Sequence, residues 1–216
     1  MKRFLMILAL LLCMTVLCGC GALDAAELLQ GNLDLVYRNS CSEEYLKAVG
    51  FTKEDARQQF ASGIEAELTV FADYFDTDLT LCSQQTTEKI RSLYQTIYAS
   101  AKYEVGEAAK TDGGYEVALT VYPIDILQKF NALDAPAFMD RWEQRYDKGE
   151  FDSMTDAQYE EAWVTAILDA LNSRLSEIGY LEGETITVQI EKDRESGLYV
   201  IPEEDFSAID ALILAY

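Results

Sequence analysis

The spacing of apolar residues changes from a helical to a strand period twice along the chain, and this limits its possible folds most. Up to about residue 101, apolar residues recur every three or four positions, as on one face of a helix. The segment KYEVGEAAKTDGGYEVALTVYP then alternates apolar and polar residues around TDGG, whose glycines suit a tight hairpin turn. After a second helical region, ETITVQIE and LYVIP predict a second hairpin.

The helical segments carry recognisable start and stop signals. Predicted ends are a left-handed cap at Gly50, capping boxes at Thr52 with Asp55 and at Thr155 with Gln158, a cap at Asp134 beside Pro136, and a stop at Gly179. The predicted helices lie in DAAELLQGNLDLVYRNS, SEEYLKAVG, FTKEDARQQFASGIEAELTVFADYF, residues 84–101, IDILQKFNAL, DAPAFMDRWEQRYDKGEF, TDAQYEEAWVTAILDALNSRLSEIG and EEDFSAIDALILAY.

One of these helices carries an aromatic stripe. Its apolar residues are spaced by three and four positions: Phe60, Ile64, Leu68, Phe71 and Phe75. Such a stripe is typical of a helix face packed in a core, and an aromatic-lined ligand pocket is the alternative interpretation.

These elements predict an α+β fold in which helices pack on antiparallel β-hairpins. The helix–hairpin order occurs twice, so residues 24–122 and 124–216 could be the halves of an old duplication. The two hairpins would form one sheet or two small ones. We divide the chain into a signal peptide (1–19), a lipidated end with a short tether (20–23) and an α+β domain (24–216).

The first 19 residues have the pattern of a secretion signal. Lys2 and Arg3 form a cationic start, and residues 4–17 carry no charge. Fourteen helical residues span about 21 Å, which is shorter than the roughly 30 Å hydrocarbon core that a permanent membrane helix must cross. The segment therefore favours a removable signal over a lasting span.

The signal ends in Leu17-Cys18-Gly19-Cys20, which resembles a bacterial lipobox. The resemblance implies that a diacylglycerol is joined to the sulfur of Cys20 and that cleavage occurs just before it. Cys18 then serves as a small residue and leaves with the signal. We expect an extracytoplasmic protein anchored to the cell membrane by lipid, because two acyl chains suffice for stable anchoring.

Cys41 and Cys82 remain in the predicted domain and are a candidate disulfide. A bond outside the membrane is chemically allowed and would close a loop of 42 residues, which contributes about 4 kcal/mol on the chain-entropy model. Two buried free thiols are an equally ordinary outcome for such a pair.

Net charge limits the possible partners. Loss of Lys2 and Arg3 with the signal leaves 15 basic against 38 acidic residues, a net charge of −23. This surface repels nucleic acid and anionic lipid headgroups. The charge suits a soluble envelope domain, and attraction of cationic peptides or divalent cations is the functional alternative, although no ligand spacing supports it.

Few catalytic signatures occur in the sequence. The chain contains no histidine, and no nucleophile elbow, phosphate loop or dinucleotide fingerprint is present. Asp73, Asp76 and Asp78 cluster, but they lack the glycine and the distal glutamate of a calcium loop. We therefore expect no enzymatic activity, no metal and no cofactor beyond the lipid on Cys20.

Three features together resemble a known group of proteins. The lipobox, the hairpin YEV…DGGYEVALTVYPIDIL and the ending IPEEDFSAIDALIL are similar to small lipoproteins of unknown function from Gram-positive, gut-type anaerobes. The resemblance implies a membrane-anchored α+β domain of the cystatin- or NTF2-like kind, in which a curved sheet packs against helices. It brings no catalytic or binding residues to this chain.

The expected function is non-enzymatic binding of an envelope protein, a peptide or a small ligand. One rival is an envelope hydrolase that acts on glycans with two carboxylates about 5–9.5 Å apart. A second rival is an accessory solute-binding lipoprotein, although the sequence lacks the alternating βαβ pattern of a two-lobed binding protein.

We predict that the mature chain begins at Cys20 and carries a diacylglycerol on its sulfur. Mass spectrometry of the N-terminal peptide from membrane preparations checks this. An unmodified peptide that begins elsewhere would contradict the lipobox.

Overall fold

A single antiparallel sheet organises the computed structural model, which describes residues 13–14, 24–193 and 199–216. Its strand order is β1-β5-β4-β3-β2. The strands are β1 (Cys13–Met14), β2 (Lys102–Lys110), β3 (Gly114–Tyr122), β4 (Glu184–Lys192) and β5 (Tyr199–Val200). The α+β class predicted from the periodicity is confirmed, and the two hairpins share one sheet.

Both predicted hairpins form. In the first, β2 pairs with β3 from Lys102 opposite Tyr122 to Lys110 opposite Tyr115, and the Thr111 amide donates to the Gly114 carbonyl across the turn. In the second, β4 pairs with β5 only at Glu191 and Lys192. The two hairpins meet where β3 pairs with β4 along eight positions.

Strand β1 pairs with β5, Cys13 opposite Val200 and Met14 opposite Tyr199. It lies within the predicted signal, so cleavage before Cys20 would leave β2–β5 as a four-stranded sheet. The lipobox, Cys18, Cys20 and the tether up to residue 23 lie outside the described residues.

Helices occupy the segments that the sequence predicts. They are α1 (Ala25–Arg38), α2 (Glu43–Val49), α3 (Lys53–Phe75), α4 (Gln84–Tyr98), α5 (Ile126–Lys129), α6 (Ala135–Asp147), α7 (Asp156–Arg174) and α8 (Glu203–Ile213). The capping boxes at Thr52 and Thr155 both form, and Gly50 caps α2 in the left-handed region at φ 70°. A π-helical turn, Phe130–Asp134, joins α5 to α6.

The core lies between one face of the sheet and the helices. Alternate residues of β3 and β4 point into it and are buried: Val117, Leu119, Val121, Val188 and Ile190. The intervening residues of these strands, among them Glu116, Ala118 and Thr187, are exposed. Phe60, Ile64 and Phe71 of the aromatic stripe are buried in the same core. The stripe is therefore a helix face packed in the core, as the first of its two interpretations predicts.

Two predicted helix ends are wrong in detail. Asp134 makes no side-chain cap on α6, because both its carboxylate oxygens accept from the guanidinium of Arg174, at 2.7 and 2.8 Å. Helix α7 ends at Arg174 and a 3₁₀ turn follows, so Gly179 is not its stop signal. A side chain at Gly179 would instead collide with the Asp125 carboxylate, which accepts from the Gly179 amide.

Gly31 lies in the middle of α1 because α2 packs there at very short range. A Cβ atom at this position would lie 2.3 Å from Cδ2 of Tyr45. Tyr45 is buried, and its hydroxyl accepts from the side-chain amide of Asn32 at 3.3 Å. The glycine therefore allows an aromatic ring to lie directly on the helix backbone.

We predict that Gly31→Ala lowers the free energy of unfolding by about 1–3 kcal/mol, because the added methyl must displace a buried ring. Gly63→Ala is the matched control, since nothing lies within 4 Å of a Cβ at that position of α3. It should be neutral or stabilise by about 0.5–1 kcal/mol through helix propensity. Urea unfolding of both variants checks this. Equal effects of the two substitutions would contradict the packing argument.

Candidate functional site

A groove runs over the N-terminal half of α1 and is the candidate binding site. It consists of two open depressions, of about 710 and 740 Å³, which share Ala26 and Val105 in their linings. One lies between α1 and the start of α2, and the other lies between α1 and the sheet. We call the two together the α1 groove.

The first turn of α1 is fixed by a reciprocal capping box. The Glu27 amide donates to the Asp24 carboxylate at 2.9 Å, and the Asp24 amide donates to the Glu27 carboxylate at 3.0 Å. Both carboxylates also complement the positive end of the helix dipole. This end of the helix is therefore capped at Asp24, the first residue described after the tether.

Asp34 joins α1 to the sheet in the wall of the groove. Its Oδ1 accepts from the Tyr103 hydroxyl at 2.7 Å and from Arg38 at 3.0 Å, and its Oδ2 accepts from Gln30 at 2.8 Å. The Arg38 guanidinium lies 4.3 Å from the centre of the Tyr103 ring and also donates to the Ala101 carbonyl. Asp34 therefore acts mainly as a structural acceptor.

A β-bulge shapes the floor of the groove. The pairing of β2 with β3 shifts between Val105 and Ala108, which leaves Gly106 and Glu107 outside the regular ladder. A Cβ at Gly106 would lie 3.1 Å from the Ala118 carbonyl oxygen, so the glycine allows a close approach of the two strands. A bulge increases the local twist of an edge strand, and here that strand borders the groove.

The groove combines acidic walls with an apolar floor. The carboxylates in its lining belong to Asp24, Glu27, Asp34, Glu44 and Glu107, whereas none of the described lining residues is a lysine or an arginine. Its apolar and aromatic lining comprises Ala25, Ala26, Leu28, Tyr45, Val105, Ala108, Tyr115, Ile190 and Tyr199. This combination suits a ligand that has both a positive charge and an apolar part.

The structure does not bring Cys41 and Cys82 together. Cys41 lies in the α1 groove, whereas Cys82 lines a separate depression beside α7, and both are free thiols. Burial raises the pKa of the Cys82 thiol to about 11, with further contributions from the carboxylates of Glu161, Glu160 and Asp78. Cys82 is therefore protonated and unreactive at neutral pH.

A second polar cluster lies inside the core, away from the groove. Glu67 of α3 is 5% exposed and accepts from the Tyr98 hydroxyl at 2.8 Å, while its other oxygen, Oε2, has no partner. Asp210 of α8 accepts from the Tyr37 hydroxyl at 3.2 Å. Tyr94 and Tyr216 interact with each other beside Glu67. We call this set the acid–tyrosine cluster.

Burial dominates the protonation of this cluster. The pKa of the Glu67 carboxyl is raised to about 8: burial is the largest cause, the charge of Asp210 adds to the rise, and the Tyr98 hydrogen bond opposes it. Burial also raises the pKa of Asp210, and the Tyr37 hydrogen bond opposes that rise. Glu67 is therefore largely protonated at neutral pH, which is how a carboxyl avoids the cost of a buried charge.

The sequence analysis did not single out either acid, although the signal was present. Glu67 lies three residues after Ile64 and four before Phe71, so it occupies the apolar face of α3. Asp210 lies four residues after Phe206 and three before Ile213, on the apolar face of α8. An acid on a helical apolar stripe predicts a buried carboxyl, but the partner on another helix is visible only in the structure.

Metal binding and membrane crossing have no support in the described part of the chain. It contains no group of three or more histidine, cysteine or acidic side chains arranged to hold an ion. Among the helices described, none combines the length and apolarity needed to cross a membrane.

Comparison with known proteins relates the chain to one solved structure. The sequence matches no protein-family model and no curated protein. Its fold is similar to that of a putative lipoprotein (ycdA) from Bacillus subtilis subsp. subtilis str. 168, with a TM-score of 0.62 and 15% sequence identity. The match covers 91% of this chain and 57% of the other, so this chain spans little more than half of that protein.

At 15% identity the match shows that the chain shares its fold with a putative lipoprotein, and nothing finer. This agrees with the lipoprotein resemblance drawn from the sequence at the level of architecture. The narrower comparison with cystatin- or NTF2-like folds stays a prediction, as does the duplication of the two halves.

We predict two titratable thiols per mature chain after denaturation without reductant, because Cys41 and Cys82 are unpaired and the lipobox predicts that the Cys20 sulfur carries the lipid. Reaction with a chromogenic disulfide reagent counts them, and Cys41→Ser should reduce the count to one. A count of zero in the unmodified protein would show that a disulfide joins the two cysteines.

Proposed function

We propose that the chain is a membrane-anchored extracytoplasmic lipoprotein whose α1 groove binds a cationic, partly apolar ligand without catalysing a reaction. The observation that carries the proposal is the groove itself, with acidic walls and an apolar floor. The lipobox in the sequence and the fold shared with a putative lipoprotein support the anchored location.

The position of the groove relative to the anchor supports a role at the membrane. Asp24 lines the groove and follows Cys20 by four residues, which can span at most about 14 Å when fully extended. The groove would therefore stand close to the lipid headgroups, within reach of a membrane-associated peptide or of the exposed part of a membrane protein.

The charge of the groove supports the proposed ligand class. Glu44 and Glu107 are exposed at its two sides, and the aromatic rings of Tyr115 and Tyr199, 5.6 Å apart, form part of its floor. Carboxylates at the rim would attract and orient a basic group, while the floor would gain from burying apolar surface. A peptide or protein segment with a basic and an apolar side fits this arrangement better than an anionic solute.

Binding is favoured over carboxylate-dependent hydrolysis by the location of the two acids whose pKa values are raised, Glu67 and Asp210. Glu67 and Asp210 are the acids with the most perturbed protonation, but tyrosine side chains surround them and neither lines the α1 groove. The carboxylates of the α1 groove lie in open depressions, and those of Asp24, Glu27 and Asp34 already accept hydrogen bonds within the fold. If the protein is instead an accessory solute-binding lipoprotein, this groove would bind a small cationic solute.

We predict that the mature protein in detergent micelles binds a lysine-bearing amphipathic peptide more tightly than a glutamate-bearing peptide of equal length and apolar content. Fluorescence anisotropy with labelled peptides measures both dissociation constants. The double variant E44Q/E107Q should weaken binding of the basic peptide by about tenfold, because two attractive charges are lost.

The control is E203Q/E204Q, which removes two exposed acids from the first turn of α8, outside the groove lining. It should leave the dissociation constant unchanged within about twofold at 0.15 M salt, where distant charges are screened. Equal affinity for both peptides, or equal losses in the two double variants, would overturn the groove as the binding site.

A further inference from the structure

The acid–tyrosine cluster brings together two carboxyl groups from elements that are far apart in sequence. Glu67 belongs to α3 and Asp210 to α8, and each receives a hydrogen bond from a tyrosine of a third or fourth element, Tyr98 of α4 and Tyr37 of α1. The cluster is therefore a point at which four helices meet through polar groups inside an apolar core.

Among the residues that the structure describes, those that face Glu67 offer no positive charge to balance its ionised form. Five groups interact electrostatically with the Glu67 carboxyl. They are Asp210 from α8, Tyr98 and Tyr94 from α4, Tyr37 from α1, and Tyr216. Every one of them is an acid or a phenol. The unpartnered Oε2 of Glu67 is the natural position for a proton.

Ionisation of Glu67 would place a negative charge near Asp210, away from water. The free-energy cost of that charge falls when the site opens, because water then reaches the carboxylate. Opening of the site is expected at α8, because this 11-residue helix carries the second acid and is shorter than α3, which has 23 residues. The segment is also held by four buried apolar residues, Phe206, Ile209, Ile213 and Leu214, and by the ring contact of Tyr216 with Tyr74. In addition, the Asp205 carboxylate accepts from the Gln189 amide, and Ile124 exchanges backbone hydrogen bonds with Ile213 and Ala215.

We propose that Glu67 and Asp210 form a proton-dependent latch that holds α8 and the residues up to Tyr216 in place against the rest of the fold. When Glu67 is protonated the latch is closed. When Glu67 loses its proton, repulsion from Asp210 and the missing counter-charge favour release of α8, which exposes Tyr94 and Tyr98. The device makes docking of this segment sensitive to the pH outside the cell membrane and is independent of the α1 groove.

The direction of the pH effect follows from the raised pKa of Glu67. Its ordinary value is 4.5 and its value in the folded chain is about 8, so the folded form binds the proton more tightly than the open form. The stabilisation by the bound proton is complete below pH 4.5. It decreases as pH rises from there and is lost above about pH 8. Alkaline conditions therefore weaken the latch.

Amide hydrogen exchange of the mature protein, corrected for the intrinsic exchange rate, tests the proposal. Protection of the α8 amides should fall by about tenfold or more between pH 5.5 and pH 8.5, whereas protection of α7 should change by less than about twofold. Glu67→Gln keeps an acceptor for Tyr98 but cannot ionise, so in this variant α8 protection should not depend on pH.

The matched control is Asp73→Asn, which removes an exposed acid from the same helix and should retain the full pH dependence of the unmodified protein. Protection of α8 that does not change with pH in the unmodified protein, or that falls equally in Glu67→Gln, would overturn the latch.

If Glu67→Gln does not fold, the unmodified protein still decides the question. A carboxyl carbon NMR titration should then show one glutamate with a midpoint near pH 8. Ordinary midpoints for every glutamate would overturn the proposal.

Discussion

The hydrogen bond from Tyr103 to Asp34 joins the helix layer to the sheet, and the positions of the other features depend on it. Asp34 also accepts from Arg38, which in turn reaches the Ala101 carbonyl at the start of β2. These contacts set the direction in which α1 crosses the strands. With α1 held there, its N-terminal turns border the groove and its Tyr37 enters the interior.

A single helix therefore connects the two parts of the molecule that carry chemistry. One face of α1 presents carboxylates to solvent along the groove, and the opposite face carries Leu29, Leu33 and Tyr37 into the core. Gly31 adds a third contact surface by admitting the ring of Tyr45. The three surfaces lie within less than four turns of one helix. Few substitutions in α1 can therefore alter one of these surfaces without moving another.

Local features of the fold could be predicted from the sequence because they depend on neighbouring residues. The hairpin turn at TDGG, the capping boxes at Thr52 and Thr155, and the left-handed Gly50 all follow from short-range geometry, and the structure confirms them. Asp134 was wrongly predicted as a cap because Arg174, 40 positions away, binds its carboxylate instead. No residue close to Asp134 in the sequence indicates that Arg174 will be its partner.

The candidate sites were harder to predict for the same reason. The groove requires the bulge at Gly106, the packing of α1 on the strands and the pairing of β3 with β4, and each of these is a tertiary arrangement. Glu67 and Asp210 each stand out as an acid on an apolar helix face. Their meeting follows from how α3 and α8 pack, which periodicity does not encode.

The central strand pair of the sheet also has a consequence for the order of folding. The hydroxyls of Thr120 on β3 and Thr185 on β4 lie 2.8 Å apart although 65 positions separate them in the chain. Contacts of this kind carry a large loop-closure entropy and make folding slow, whereas helices and the first hairpin form locally. For the exported lipoprotein that we propose, this delay is useful, because the β3–β4 pairing cannot close until the polypeptide as far as β4 has reached the other side of the membrane.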